Sequence, residues 1–171
     1  MQPLNLGIMN CVHGNLKLFK RFLKIFSKEE VDAIILNGDI NKDGNDRVQI
    51  NSIVKALREA LKLRKPVYIM PGSHESHNAY TKSLKRFKKN KYVVDCFLAR
   101  NRVKKLKGYK LVFLPGSDAM APGTGFRLLR DKKQIKRFEN YIKALREHFY
   151  GKIVFTFIND LRQQEKLQIL K

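Results

Sequence analysis

Short unbroken apolar runs alternate along this chain with longer stretches in which apolar residues return every third or fourth position. Residues 6–9, 33–36 and 67–70 are runs of the first kind and read as buried strands. Between them, Phe19, Phe22, Leu23 and Phe26 recur at helical spacing, with Lys17, Lys20, Arg21 and Lys24 interleaved. Asn15 is placed to cap that helix, because its side chain can accept an amide of the first turn. A second helix carries Ile50, Ile53, Val54, Leu57 and Leu61, and Pro66 stops it. A shorter third helix runs through Tyr80, Leu84 and Phe87. Further strands are expected at 92–98, 103–106 and 110–114, the last two turned at Gly108. Ile135, Phe138, Ile142, Leu145 and Phe149 predict a long helix, and 153–158 one more strand. Alternation of this kind predicts a layered α/β domain, a sheet with flanking helices, spanning 1–171 as one unit.

Composition sharpens the picture. At 171 residues and 43% hydrophobic content, the chain suits one domain with a real core. It holds no apolar run long enough to span a bilayer, and its start lacks the pattern of a secretory signal. Two cysteines, Cys11 and Cys96, make no disulfide framework, so a reducing cytoplasm is the expected location. The charge is lopsided: 36 Lys and Arg against 15 Asp and Glu, a net +21. Residues 82–110 alone hold twelve basic residues and one acid, Asp95. Lysine-rich surfaces of thermostable proteins balance Lys with Glu in ion-pair networks, and here the acids are missing. One reading is a set of solvated lysine faces. The other is a polyanion site, with Lys82, Lys85, Arg86, Lys88, Lys89, Arg102, Lys104 and Lys105 contacting nucleic acid.

The candidate chemistry sits where the first three strands end. Cys11-Val12-His13-Gly14-Asn15, Asn37-Gly38-Asp39 and Pro71-Gly72-Ser73-His74-Glu75 each combine small residues with metal-binding side chains. Three successive strand ends bring His13, Asp39 and His74 to one carboxyl edge, where open α/β sheets hold ligands. Taken singly, each residue has a plain alternative. Asp39 can cap a turn, His13 can be an idle loop histidine, and Cys11 can serve as a small buried hydrophobe. Glu75 and His77 are expected to be solvated loop residues. Gly116, Gly123 and Gly125 lack the spacing of a phosphate-binding loop and read as turn glycines.

These fragments resemble the D-x-H-G-N, G-D and G-N-H-D/E motifs of the calcineurin-like metallophosphoesterases. The resemblance implies a metallophosphoesterase-like sheet with flanking helices, and phosphoester (phosphodiester) hydrolysis at a dinuclear metal site. By position it implies that Asp39 bridges the metals, that His13 and Cys11 are ligands with Ser73, and that His74 protonates the leaving group. Two motif residues depart from the family: Cys11 stands for an aspartate and Ser73 for an asparagine. Thiolate suits Zn²⁺ or Fe²⁺ better than Mn²⁺. The family's later segments, a lone histidine and then G-H-x-H, have no counterpart among His13, His74, His77 and His148. The segments Leu111-Val112-Phe113-Leu114-Pro115-Gly116-Ser117-Asp118 and Asn159-Asp160-Leu161-Arg162 are similar to an archaeal branch, in which the second precedes the strand bearing the late histidine. On that alignment the carboxyl-terminal part of the family domain is absent, and one ion in place of two is expected.

Two functions follow. One is a divalent-metal hydrolase (Mn, Zn or Fe) completed by a complementary carboxyl-terminal chain or by a homo-oligomer. The other is a non-catalytic scaffold that binds nucleic acid, or a larger assembly, through its basic face. Neither involves a membrane.

Overall fold

The structure, a computed structural model, describes residues 3–41, 44–116, 126, 140, 153–157 and 168–170. Four parallel strands form its centre: β1 (Leu6–Met9), β2 (Ala33–Asn37), β3 (Val67–Met70) and β4 (Val93–Asp95). Three helices connect them: α1 (Leu16–Lys28), α2 (Asp46–Leu61) and α3 (His77–Lys85). Each helix starts on a side chain that accepts an amide of its first turn: Asn15 from Leu18, Asn45 from Val48, and Ser76 from Ala79.

Strand order is β4-β3-β2-β1, followed by β8 (Gln168–Leu170) antiparallel on the outer edge of β1, with Leu6 opposite Leu170. The order advances one strand at a time without reversal. Right-handed crossovers therefore put α1, α2 and α3 on the same face of the sheet. That face buries Ile34, Leu36, Val67 and Ile69 against Phe19, Leu23, Phe26, Ile53, Leu57 and Tyr80. Gly7 lets α1 come close: a Cβ there would stand 2.6 Å from the Phe26 ring.

The opposite face carries Leu6, Ile8, Ala33, Ile35, Tyr68 and Met70 and would be bare without a second layer. A three-stranded sheet covers it, β5 (Val103–Leu106), β6 (Tyr109–Leu114) and β7 (Ile153–Phe157) in the order β5-β6-β7. Leu111 and Phe113 reach in from that sheet, with the Phe113 ring stacked on Tyr68 at 5.1 Å. Burial on both faces is why the central strands read as continuous apolar runs. The layered α/β expectation holds, with helices on one side and a sheet on the other.

Two expectations change and two hold. The strand foreseen at 92–98 is only Val93–Asp95, because the Asp95 carboxylate turns to accept the Phe97 amide at 3.1 Å and ends it. No strand was expected at the carboxyl end, yet β8 pairs with β1. The strand foreseen at 153–158 is β7, parallel to β6. The hairpin at Gly108 holds, with Lys107 (φ 49°) and Gly108 (φ 83°) as a two-residue turn. The long helix foreseen around 135–149 and the loop glycines 123 and 125 lie outside the described residues. No helix among the described residues is long and apolar enough to cross a membrane.

Candidate metal centre

The loop after β1 is held to the loop after β2 by backbone hydrogen bonds. The amides of Cys11, His13 and Gly14 donate to the carbonyls of Gly38, Asp39 and Ile40, at 3.3, 2.9 and 2.8 Å. Cys11, His13 and Asp39 all adopt left-handed backbone conformations (φ 51°, 46° and 50°). Non-glycine residues pay a conformational penalty there, and such residues gather where a fold aims side chains for function. Here the strain turns three potential ligands toward one point.

Asp39 is fully buried. Its Oδ1 accepts the His74 amide at 2.9 Å, and the Ser73 hydroxyl donates to both carboxylate oxygens at 3.4 and 3.5 Å. Ser73 therefore steadies the carboxylate. Cys11 Sγ lies 3.9 Å from Asp39 Oδ2.

Glu75 was expected to be solvated, and the structure places it fully buried. Its Oε1 accepts the amides of Ile40 (2.6 Å) and Asn41 (3.4 Å), and its Oε2 those of Gly72 (2.7 Å) and Asp39 (3.0 Å). It is the tie between the β2 and β3 loops. Burial pushes its carboxyl above the usual range, as does the Asp39 charge, while the Gly72, Ile40 and Asp39 amides pull it back. Its sequence signal was limited to its place one residue past His74 in the Pro71–Glu75 motif, which does not say whether a loop carboxylate is buried. His77 is exposed as expected, but it opens α3 instead of lying in a loop, with its ring stacked on Phe126 at 5.2 Å.

Cys11, His13 and Asp39 each offer a ligand atom, all within 4.8 Å of one another. The His74 ring meets His13 edge-on, with centroids 5.0 Å apart. The buried Oδ1 of Asn10, the residue before Cys11, has no hydrogen-bond partner among the described residues. Thiolate, imidazole and carboxylate together suit zinc or iron, and the donors present fit such an ion.

Other polar contacts brace the same edge. Asp46 accepts from Ser76 Oγ at 2.5 Å and from Asn78, tying the start of α2 to that of α3. Those two hydrogen bonds hold its carboxyl below the usual range. Buried Tyr80 donates to Asp95 Oδ1 at 2.7 Å. Burial raises the Asp95 carboxyl, opposed by the Tyr80 and Phe97 hydrogen bonds and the Arg100 charge. Neither contact had a local sequence signal.

The basic segment does not form the single face expected of it. Lys82, Lys85, Arg86, Lys88 and Lys89 lie on and after α3, in the helix layer. Lys104 and Lys105 belong to β5, in the second sheet, and alternate between half-buried and exposed. Half-buried Arg102 donates to the Phe97 carbonyl at 3.5 Å. The central sheet stands between the two groups.

Comparison with known proteins adds the following. A family model described as calcineurin-like phosphoesterase matches residues 4–163. Among solved structures, TT1561 of Thermus thermophilus is 16% identical, with a TM-score of 0.61 over 90% of this chain and 67% of that one. A dimetal phosphatase from Danio rerio is 12% identical, with a TM-score of 0.57 over 90% and 69%. At such identities the likeness is one of fold, and the chain spans about two-thirds of either structure. No curated protein matches the chain.

Proposed function

The chain belongs to the calcineurin-like phosphoesterase family, and we propose that it is a metal-dependent phosphodiester hydrolase holding its metal on Cys11, His13 and Asp39. The observation that carries this reading is the convergence of those three ligand atoms within 4.8 Å, with the His74 ring against His13. When bound, the metal supplies Lewis acidity and a water made nucleophilic at neutral pH. The chain's own residues supply the rest. Ser73 and the His74 amide orient the Asp39 carboxylate, and Glu75 locks the two loops that carry it. The half-buried His74 imidazole is the general acid, giving a proton to the leaving oxygen.

The donor set favours zinc or iron over manganese, and one ion over two, because the described residues supply one cluster of three donors. A complementary carboxyl-terminal chain, or a second copy of this one, is the proposed source of further ligands. Neither cysteine is disulfide-bonded, which suits a reducing cytoplasm.

A second reading rests on Cys11 and Ser73 replacing family ligands: a non-catalytic scaffold that binds nucleic acid through basic residues. Hydrolysis of a chromogenic phosphodiester with Zn²⁺, Fe²⁺, Mn²⁺ or no metal separates the two. We expect zinc- or iron-dependent turnover that falls about 10²-fold or more in His74→Ala. No turnover and no divalent-metal binding, for the chain alone and with the complementary chain supplied, would discard the hydrolase reading.

A further inference from the structure

α1 carries five basic residues, Lys17, Lys20, Arg21, Lys24 and Lys28, and no acid. All five are exposed. Their spacing puts them in one outward stripe, opposite the buried Phe19, Leu23 and Phe26. Across the 13 residues of α1 the stripe is about 20 Å long. Among the described residues only Lys20 has a carboxylate partner, Glu59 at 3.6 Å, and Glu59 is shared with Lys62. Like charges three and four apart on a helix repel, so the stripe costs the isolated fold stability. The neighbouring α2 adds exposed Lys55 and Arg58, and its other acid, Asp46, is already engaged by Ser76 and Asn78.

We propose that the α1 stripe, widened by Lys55 and Arg58, is a docking track for the phosphate backbone of a nucleic acid and delivers it to the metal edge. The track starts at that edge: Lys17 is one residue into α1, which opens directly after the His13 turn. Beside the His13 turn, Val12, Gly14, Leu16, Ile40, Ser52 and Lys55 line a cleft of about 140 Å³. The stripe is too long for one small anion. A membrane surface fits poorly, because the apolar side of α1 faces the core and none of the exposed large apolar residues among those described lies on α1. A protein partner would need apolar anchors at the centre of the contact, and the stripe has none. Evenly placed Lys and Arg along one helix suit contact with a repeating line of phosphates.

Binding along the stripe is independent of the hydrolase reading, and delivery to the metal edge rests on it. Binding is tested by fluorescence anisotropy of a short labelled DNA duplex across a salt series. For wild type, log K is expected to fall linearly with log salt concentration. Lys17→Gln/Arg21→Gln/Lys24→Gln should flatten that slope by about 2–3, at about 0.9 for each phosphate no longer neutralised, and weaken binding more than tenfold at low salt. Lys17→Arg/Lys24→Arg should bind like wild type, and Lys82→Gln/Lys85→Gln/Arg86→Gln should keep most of the slope. The proposal is overturned if the α1 triple variant, melting like wild type, binds like wild type. It is equally overturned if wild type binds anionic vesicles and no duplex. Turnover of the chromogenic diester reads the metal centre separately, so either idea can fail alone.

Discussion

The Asp39 carboxylate lies directly against Gly72. A Cβ at residue 72 would fall onto Oδ1 and stand 2.6 Å from the Asp39 amide nitrogen. The β3 loop thus leaves the Asp39 side chain no room to retreat, and glycine is required for close approach rather than for its backbone freedom. Gly72→Ala is expected to displace Asp39, cost about 1–3 kcal/mol of stability and weaken zinc binding about 10–100-fold. Urea unfolding and isothermal titration would measure the two effects. An unchanged zinc affinity would remove Asp39 from the ligand set.

Glu75 accepts four backbone amides from two loops. Glu75→Ala leaves those buried donors unmet and is expected to cost at least about 3 kcal/mol, at about 1–3 kcal/mol per orphaned group. Glu75→Gln should also destabilise, because its NH₂ would face an amide N–H where an oxygen now accepts. The urea midpoint reports both, and a midpoint equal to wild type in the Ala variant would contradict the bracing role.

On the proposed ligand set, Cys11 is the residue that would set the metal preference. Cys11→Asp exchanges a soft donor for a hard one, so zinc affinity is expected to fall and manganese affinity to rise. In wild type, zinc affinity should increase with pH, since the thiol must lose its proton to bind. Titrations at two pH values check both statements. Identical metal selectivity in wild type and Cys11→Asp would show that the thiol is a bystander.

At the opposite edge of the sheet, Asp32 pairs with Lys107 at 2.6 Å and accepts the Asn5 amide at 2.9 Å. Burial opposes its ionisation. The Lys107 hydrogen bond, the Asn5 amide and the charges of Lys107 and Lys65 outweigh that and hold the carboxyl below the usual range. A depressed folded pKa contributes stability above the unfolded value, about 3.9, that is lost as pH falls through the folded one. Asp32→Asn should therefore be less stable than wild type at neutral pH, with the difference vanishing in strong acid. Unfolding curves across that window test it, and a pH-independent difference would argue against the ion pair as the cause.

The candidate metal site is legible because its residues occupy short motifs at the ends of strands whose apolar runs are unmistakable. Cys11, His13, Asp39 and His74 were all named from those motifs, and the structure groups them. Glu75 lay in the same motif and was misread, since nothing local says whether a loop carboxylate meets water or four amides. The basic segment was misread as one face for a related reason. Charge in sequence is linear, whereas α3 and β5 sit on opposite sides of the central sheet.

Apolar periodicity and caps by themselves determined the central strands, the three helices and the hairpin at Gly108, because these depend on neighbours within a few residues. Tertiary structure alone decided that β8 covers the edge of β1, that a second sheet covers the face opposite the helices, and that Asp46 meets Ser76. It also decided that Asp95 meets Tyr80 and that Glu75 is sealed beneath the metal edge. Each of those contacts joins residues brought together by strand order and crossover hand. Residue type can permit such a meeting, but only the packed layers select it.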